Sequence, residues 1–174
     1  MKICITGANR GIGLGLTKLL ISKKHQVIAT TRNKSNSNEL IKLQKNNQKN
    51  LLISELDITS ETNINFFKES FQWDNLDILI NNAGILENGT LSFEELTIET
   101  IKNAFEVNTV GPMKLTKSLF PYLKKSKNPK NIYITSKMGS LKENTVGKYY
   151  SYRMSKVALN MFCRTLAIDF PSII

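Results

Sequence analysis

Tyr152 and Lys156 stand four residues apart, and Ser136 lies sixteen residues before Tyr152. On a helix, residues four apart share a face, so phenol and ammonium would be neighbours. A free tyrosine titrates near ~10, and a nearby cation favours the phenolate and draws that value toward working pH. Such a phenol can give a proton to a carbonyl oxygen or take one from an alcohol. A serine hydroxyl beside it can hydrogen-bond the same oxygen. Tyr-x-x-x-Lys alone is a common, mostly structural pattern, and its weight here comes from a second constellation near the start of the chain.

That constellation is Gly7-Ala8-Asn9-Arg10-Gly11-Ile12-Gly13, directly after the short apolar run Lys2–Thr6. Gly7, Gly11 and Gly13 let the backbone bend tightly and approach a pyrophosphate. The helix that follows turns free N–H groups and a partial positive charge toward that anion. The spacing is Gly-x-x-x-Gly-x-Gly, not the commoner Gly-x-Gly-x-x-Gly, so a purely structural turn is the alternative. At the end of the second apolar run, Ala29-Thr30-Thr31-Arg32-Asn33, no acid is present to bond a ribose 2′-hydroxyl. Arg32 stands there instead, and with Arg10 it could hold a 2′-phosphate by charge-assisted bonds. The expectation is NADP(H) in preference to NAD(H), and together the two constellations read as a nicotinamide-dependent oxidoreductase.

The elements that must position these groups alternate strand and helix, the pattern of a doubly wound α/β parallel sheet with helices on both faces. Strands are expected near 2–6, 26–31, 51–56, 76–80 and 131–135. The first helix shows Ile12, Leu16, Leu19 and Leu20 as an apolar face. Asn36 is a candidate cap for the second, with Glu39 three residues on. A third helix starts after Ser60 with Ile64, Phe67 and Phe71 on one face. A long helix begins near Thr97 with Ile98, Ile101 and Phe105 apolar. Pro112 within it predicts a kink just after Asn108, with a plain break between two helices as the alternative. The last helix begins near Ser151, with Met154, Ala158, Met161 and Phe162 on one face. Irregular stretches 82–96 and 137–150 follow strand ends, where ligands bind in such sheets, and are expected to shape the site.

Composition sets the frame. At 174 residues the chain reads as one domain, residues 1–174, long enough to bury roughly 70% of its unfolded surface without a staple. Cys4 and Cys163 read as unpaired thiols of a reducing compartment. The N-terminal apolar run is too short for a signal peptide, and no segment reaches the ~18 apolar residues that span a bilayer. The expected location is cytoplasmic, with no membrane partner. The net charge of +10 comes from lysines scattered among asparagines. They form no stripe with interleaved aromatics, so no nucleic-acid partner is expected. No metal is expected: the only histidine, His25, falls at the opposite end of the sheet from the site, and the cysteines lack ligand spacing.

Five motifs in order resemble the short-chain dehydrogenase/reductase family. Thr6–Gly13 is similar to its cofactor turn. Leu56-Asp57-Ile58 is similar to its adenine contact, and Asn81-Asn82-Ala83-Gly84 to its signature after strand four. Asn108, Ser136, Tyr152 and Lys156 match its catalytic tetrad in order, and Asn160 with the run 152–161 is also typical. The wording around Tyr152 is similar to a carbonyl-reductase-like branch that includes the sniffer and C-factor proteins. The resemblance implies a Rossmann sheet of order 3-2-1-4-5 and a carbonyl or alcohol substrate. Tyr152 would be general acid and base. Lys156 would hold the nicotinamide ribose and lower the Tyr152 pKa. Ser136 would polarise the carbonyl, and Asn108 would position a water that relays protons through Lys156. Asp57 would meet the adenine amine, with Ile58 beside it. Asn82, Ala83 and Gly84 would line the cofactor, together with Asn9, Arg10 and Ile12 of the first turn. A homodimer through the helices near 98–123 and 151–168 is a further implication.

Two departures qualify this. The Ser136–Tyr152 gap is wider than the family's usual one, which lengthens the loop at 137–150. The sequence also ends at Asp169-Phe170-Pro171-Ser172-Ile173-Ile174, where the family's sixth strand would start. Without the last two strands and the lid, strand five is expected to be a bare sheet edge and the substrate loosely enclosed. A truncated pseudo-enzyme and an NADP-binding regulatory module without turnover therefore stand as alternatives to an active reductase.

Overall fold

The computed structural model describes residues 1–86 and 92–173. Residues 87–91, part of the expected loop 82–96, lie outside the described residues, as does Ile174. Five parallel strands form one sheet: β1 (Lys2–Ile5), β2 (Gln26–Thr31), β3 (Leu51–Glu55), β4 (Ile78–Asn81) and β5 (Lys130–Tyr133), in the order β3-β2-β1-β4-β5. This is the expected order. The register aligns Ile3 with Val27 and Ile78, and Val27 with Leu51.

Alternation along the strands divides the core in two. Ile3, Ile5, Val27, Ala29, Leu51, Ile53 and Ile80 face one side, which α1 (Gly11–Ser22) and α2 (Asn38–Lys45) cover through Ile21 and Leu40. Cys4, Ile28 and Leu79 face the other, under α3 (Glu61–Glu69) and α5 (Gly111–Leu123). There Ile64, Phe67, Leu115, Leu119 and Leu123 are buried, each worth about 1.5–3 kcal/mol of transfer free energy. Phe71 lies just past α3 but packs on this core, with Trp73 against its ring. The Ser60 hydroxyl accepts from Asn63 N, as its position before α3 suggests.

Several local expectations shift. In α1 the buried column is Gly13, Thr17 and Ile21; of the expected apolar face Leu16 and Leu20 pack on the core, while Ile12 and Leu19 are exposed. A Cβ on Gly13 would run into the Gly7 carbonyl oxygen, so this close approach, not the leucine pattern, sets how the helix turns. Ser37, not Asn36, precedes α2, and its hydroxyl donates back to Asn33 O without capping the helix. Strand β4 starts at Ile78, because Leu76 N already donates to Tyr122 O.

The long helix is neither simply kinked nor broken. Helix α4 (Ile98–Phe105), capped by Thr97, passes through a π-helical turn (Glu106–Val110) into α5. Pro112 sits in the first turn of α5, where wider π winding absorbs its missing N–H. Helix α6 (Tyr150–Asp169) packs on α4 and on the π turn. It buries Ser151, Ser155, Lys156 and Leu159, not the expected Met154 and Met161, which are exposed. Strand β5 ends at Tyr133, so Ser136 caps a short 3-10 turn (Lys137–Gly139) and does not end the strand. Nor is β5 bare along its length: Asn131 N donates to Ile173 O, and Ile173 is buried.

Candidate active site

The carboxyl ends of β1, β2, β3 and β4 open into one cleft of about 750 Å3, within the ~300–1,000 Å3 usual for small-molecule sites. Every residue read as cofactor-binding outside the Tyr152–Lys156 pair lines it: Gly7, Asn9, Arg10, Gly11, Ile12, Gly13, Arg32, Asp57, Ile58, Asn82, Ala83 and Gly84.

The floor is backbone. Gly7 and Gly11 have φ of 64° and 54°, which glycine adopts at no steric cost. A Cβ on Gly7 would come within 2.9 Å of Ala83 Cα. No side chain caps α1, and its first turn holds no acid, so its leading N–H groups face the cleft unopposed, as an anion site requires. Thr6 and Asn82 tie this floor together. Thr6 Oγ1 accepts from the N–H groups of Asn82 and Ala83 at 3.0 and 2.9 Å. Asn82 Nδ2 donates to Thr6 O and Gly7 O at 2.8 and 3.0 Å.

The rim carries the polar groups. Arg10 and Arg32 are exposed on the cleft, and Asn33 and Asn36 line it beside them. At the β3 end, Asp57 Oδ1 accepts from Thr59 N and Thr59 Oγ1 at 2.9 and 2.7 Å. This turn fixes the carboxylate and leaves Oδ2 for a donor in the cleft. The donor set, the open helix N-terminus and the glycine-lined floor fit a nicotinamide dinucleotide.

Asn108 lies on the π turn, fully buried. Its Oδ1 accepts from Ile85 N at 2.8 Å, and its Nδ2 donates to Ile85 O and Ser155 Oγ at 2.9 and 3.1 Å. Ser155 Oγ in turn donates to Tyr152 O. One side chain thus joins the segment that follows β4 to the turn of α6 that bears Tyr152. Lys156 is 4% exposed. Its Nζ donates to Ile134 O at 3.0 Å and lies 5.8 Å from the Tyr152 ring centroid. Burial lowers the Lys156 pKa from its ordinary value, and the neighbouring Cys163 pulls it the other way. Ser136 Oγ accepts from Met138 N at 3.1 Å. Gly84 joins the two regions, since a methyl built on it would lie 3.1 Å from Asn108 Oδ1 and 3.6 Å from Lys156 Nζ.

Sequence reasoning missed Thr6 and Thr59 as supports of the site. The signal was their position: one ends a strand at the glycine turn, the other stands two residues after Asp57. Before α6, Gly147, Lys148 and Tyr149 have φ of 72°, 56° and 54°, and Arg153 Nε donates to Gly147 O and Lys148 O, so this side chain stabilises the left-handed entry. Among the described residues, no helix is long and apolar enough to cross a membrane. No group of three or more His, Cys, Asp or Glu is placed among them to hold a metal ion.

A family model described as short chain dehydrogenase matches residues 1–172. The C-signal protein of Myxococcus xanthus is 37% identical over 94 residues, 54% of this chain and 56% of that protein. Among solved structures, the NADPH-bound carbonyl reductase from chicken fatty liver superposes with a TM-score of 0.90 at 31% identity, over 99% of this chain and 75% of that one. The carbonyl reductase Sniffer of D. melanogaster gives 0.89 at 31% identity, over 99% and 77%. The curated relatives are matched over 53 to 71% of their own length.

Proposed function

The chain belongs to the short-chain dehydrogenase family, in the company of carbonyl reductases, and from that premise we propose that it is an NADP(H)-dependent oxidoreductase acting on a carbonyl or alcohol. The carrying observation is Gly84: it closes the dinucleotide cleft and abuts Asn108 and Lys156 at once, so a bound nicotinamide would end beside the acid–base group.

When bound, the nicotinamide cofactor would supply the hydride for a carbonyl carbon. Tyr152 gives its phenolic proton to the carbonyl oxygen, and in oxidation takes it back. Ser136 hydrogen-bonds the same oxygen and polarises the bond. Lys156 would hold the nicotinamide ribose with the donors that its bond to Ile134 leaves over. Asn108 keeps the Tyr152 turn in place through Ser155, and its π turn positions a water for proton relay through Lys156. Asp57 Oδ2 would accept from the adenine amine. Arg10 and Arg32 would hold a 2′-phosphate, the basis for preferring NADP(H) over NAD(H).

Residues 1–174 act in this reading as one nucleotide-binding unit. The unpaired thiols support a cytoplasmic setting. On α6 an exposed apolar stripe runs through Tyr150, Met154, Met161 and Ile168, with Phe93 stacked on Tyr150. A second copy packed along it makes a homodimer, expected as twice the chain mass by light scattering.

Fluorescence titration with NADPH and NADH tests the cofactor reading. NADPH should bind the tighter, and Arg32→Ala should bring the two affinities together, weakening NADPH by about 10-fold, the equivalent of about 1.4 kcal/mol. Equal affinities in the unmutated chain would refute the 2′-phosphate site. NADPH binding without reduction of any carbonyl in a broad panel would leave a binding module in place of an enzyme.

A further inference from the structure

Asn160 lies one helical turn beyond Lys156 on α6 and has no part in the mechanism above. Its side chain holds the serine-bearing segment on both sides of Ser136. Asn160 Oδ1 accepts from Thr135 Oγ1 at 2.6 Å, and Nδ2 donates to Gly139 O at 3.1 Å. A carbonyl takes only a donor, so the amide can face Gly139 in one sense alone. Gly139 is buried, and a Cβ there would lie 2.8 Å from Asn160 Nδ2 and 3.1 Å from the Lys156 carbonyl carbon and Cβ. The turn after Ser136 therefore rests directly on α6.

Lys156 adds a third attachment just upstream, through Ile134 O. Strand β5 ends at Tyr133, and Ile134 N, donating to Asn81 O, extends the pairing by one residue. Beyond it, two residues of one helix face take over from the sheet, and Ser136 lies between their attachments. Its hydroxyl is in turn oriented by Met138 N. Tyr152 shares that helix face, eight residues before Asn160.

The geometry points to Asn160 as a positioning residue that sets the Ser136 hydroxyl relative to the Tyr152 phenol. This rests on the reading of Ser136 and Tyr152 as the two donors to a carbonyl oxygen. Asn160→Asp keeps the shape and the acceptor for Thr135 but turns an oxygen toward the Gly139 carbonyl. The segment would then lift from the helix while the dinucleotide cleft, built at the other strand ends, stays intact.

The experiment is a double-mutant cycle. NADPH oxidation is followed with 4-nitrobenzaldehyde and diacetyl as carbonyl probes, in the unmutated chain, Asn160→Asp, Ser136→Ala and the double variant. Each single change should lower kcat by about 10- to 100-fold, as small misplacements of reacting groups do, with NADPH affinity unchanged. The double variant should be no slower than Ser136→Ala alone, because Asn160 acts through that hydroxyl. Thr135→Val removes the other attachment from outside α6 and serves if Asn160→Asp does not fold; it should show the same non-additivity. Losses that multiply, or an undiminished kcat in Asn160→Asp, would overturn the role of Asn160 alone. An unmutated chain that binds NADPH and leaves both probes untouched would overturn the reductase reading, and the role of Asn160 with it.

Discussion

The proposed dinucleotide cleft and the proposed acid–base group are built from different materials. The cleft floor is main chain: glycines whose missing side chains let strand ends and a helix N-terminus close on one another. The acid–base group is side chain held by side chain, with Asn108 joined to Ser155 and Lys156 reaching back to Ile134. The glycine turn is specified locally, within a few residues, and bonds from Thr6 and Gly7 to Asn82 and Ala83 then close the floor across 75 to 77 residues of chain. A side-chain site is specified across the chain, by partners 22 to 47 residues away. The first tolerates change at its rim but none at its floor, and the second is exposed to failure at every link.

The two regions should therefore fail separately. Tyr152→Phe deletes the transferable proton and should lower kcat by about 10²–10⁴-fold, with NADPH affinity unchanged by fluorescence titration. A matching loss of NADPH affinity would show that the regions are one unit. Gly13→Ala does the reverse. Its Cβ would collide with the Gly7 carbonyl and lie 2.5 Å from Asn82 Nδ2. NADPH affinity should fall about 10- to 100-fold, the equivalent of about 1.4–2.8 kcal/mol, and the melting temperature should drop. Retained affinity would mean that the floor is looser than its contacts imply.

The smallest effect sharpens the contrast through pH. Burial holds the Lys156 pKa below its ordinary 10.5, so between the lowered value and 10.5 the unfolded chain carries more protons and stability rises with pH. Below that window the fold bears the cost of a buried charge. In Lys156→Met the cost is gone. The melting temperature of Lys156→Met relative to the unmutated chain should be highest near neutral pH. It should decline as pH rises from the lowered value to 10.5 and level off above that, by about 2–4 °C for each kcal/mol of desolvation relieved. A constant difference would mean that the ammonium is not desolvated. The same variant should lose turnover, so a group costly to the fold would be one the chemistry needs.

What the sequence revealed follows the same division. Glycine spacing after an apolar run marked the cleft, and strand–helix alternation marked a parallel sheet, because both are local signals; the strand order was legible only through the family resemblance. The face of α1 was misread from Ile12 and Leu19. Gly13 and Thr17 carry no hydrophobic signal, yet a backbone approach decides which way they turn. Met154 and Met161 were misread on α6 for a related reason: a helix that supports chemistry buries Ser151, Ser155 and Lys156, which periodicity counts as polar. The π turn was half legible. Pro112 announced a disturbance after Asn108, but its form depends on how Asn108 and Thr109 meet Ser155. The Asn160 attachments to Thr135 and Gly139 had no local signal at all.

The bond from Asn82 N to Thr6 Oγ1 spans 76 residues of chain. It links the neighbouring strands β1 and β4, so closing it spends the entropy of a loop that holds β2, β3 and their helices. Such distant closures come late in folding, since loop entropy is spent before the contact returns anything. The cleft is complete only when chain segments this far apart have met. A dinucleotide that binds it recognises completed chains and no earlier species, and it withdraws them from the unfolding equilibrium in proportion to its own concentration. In a cell, the supply of cofactor would then govern how long the finished fold survives as well as how fast it could work.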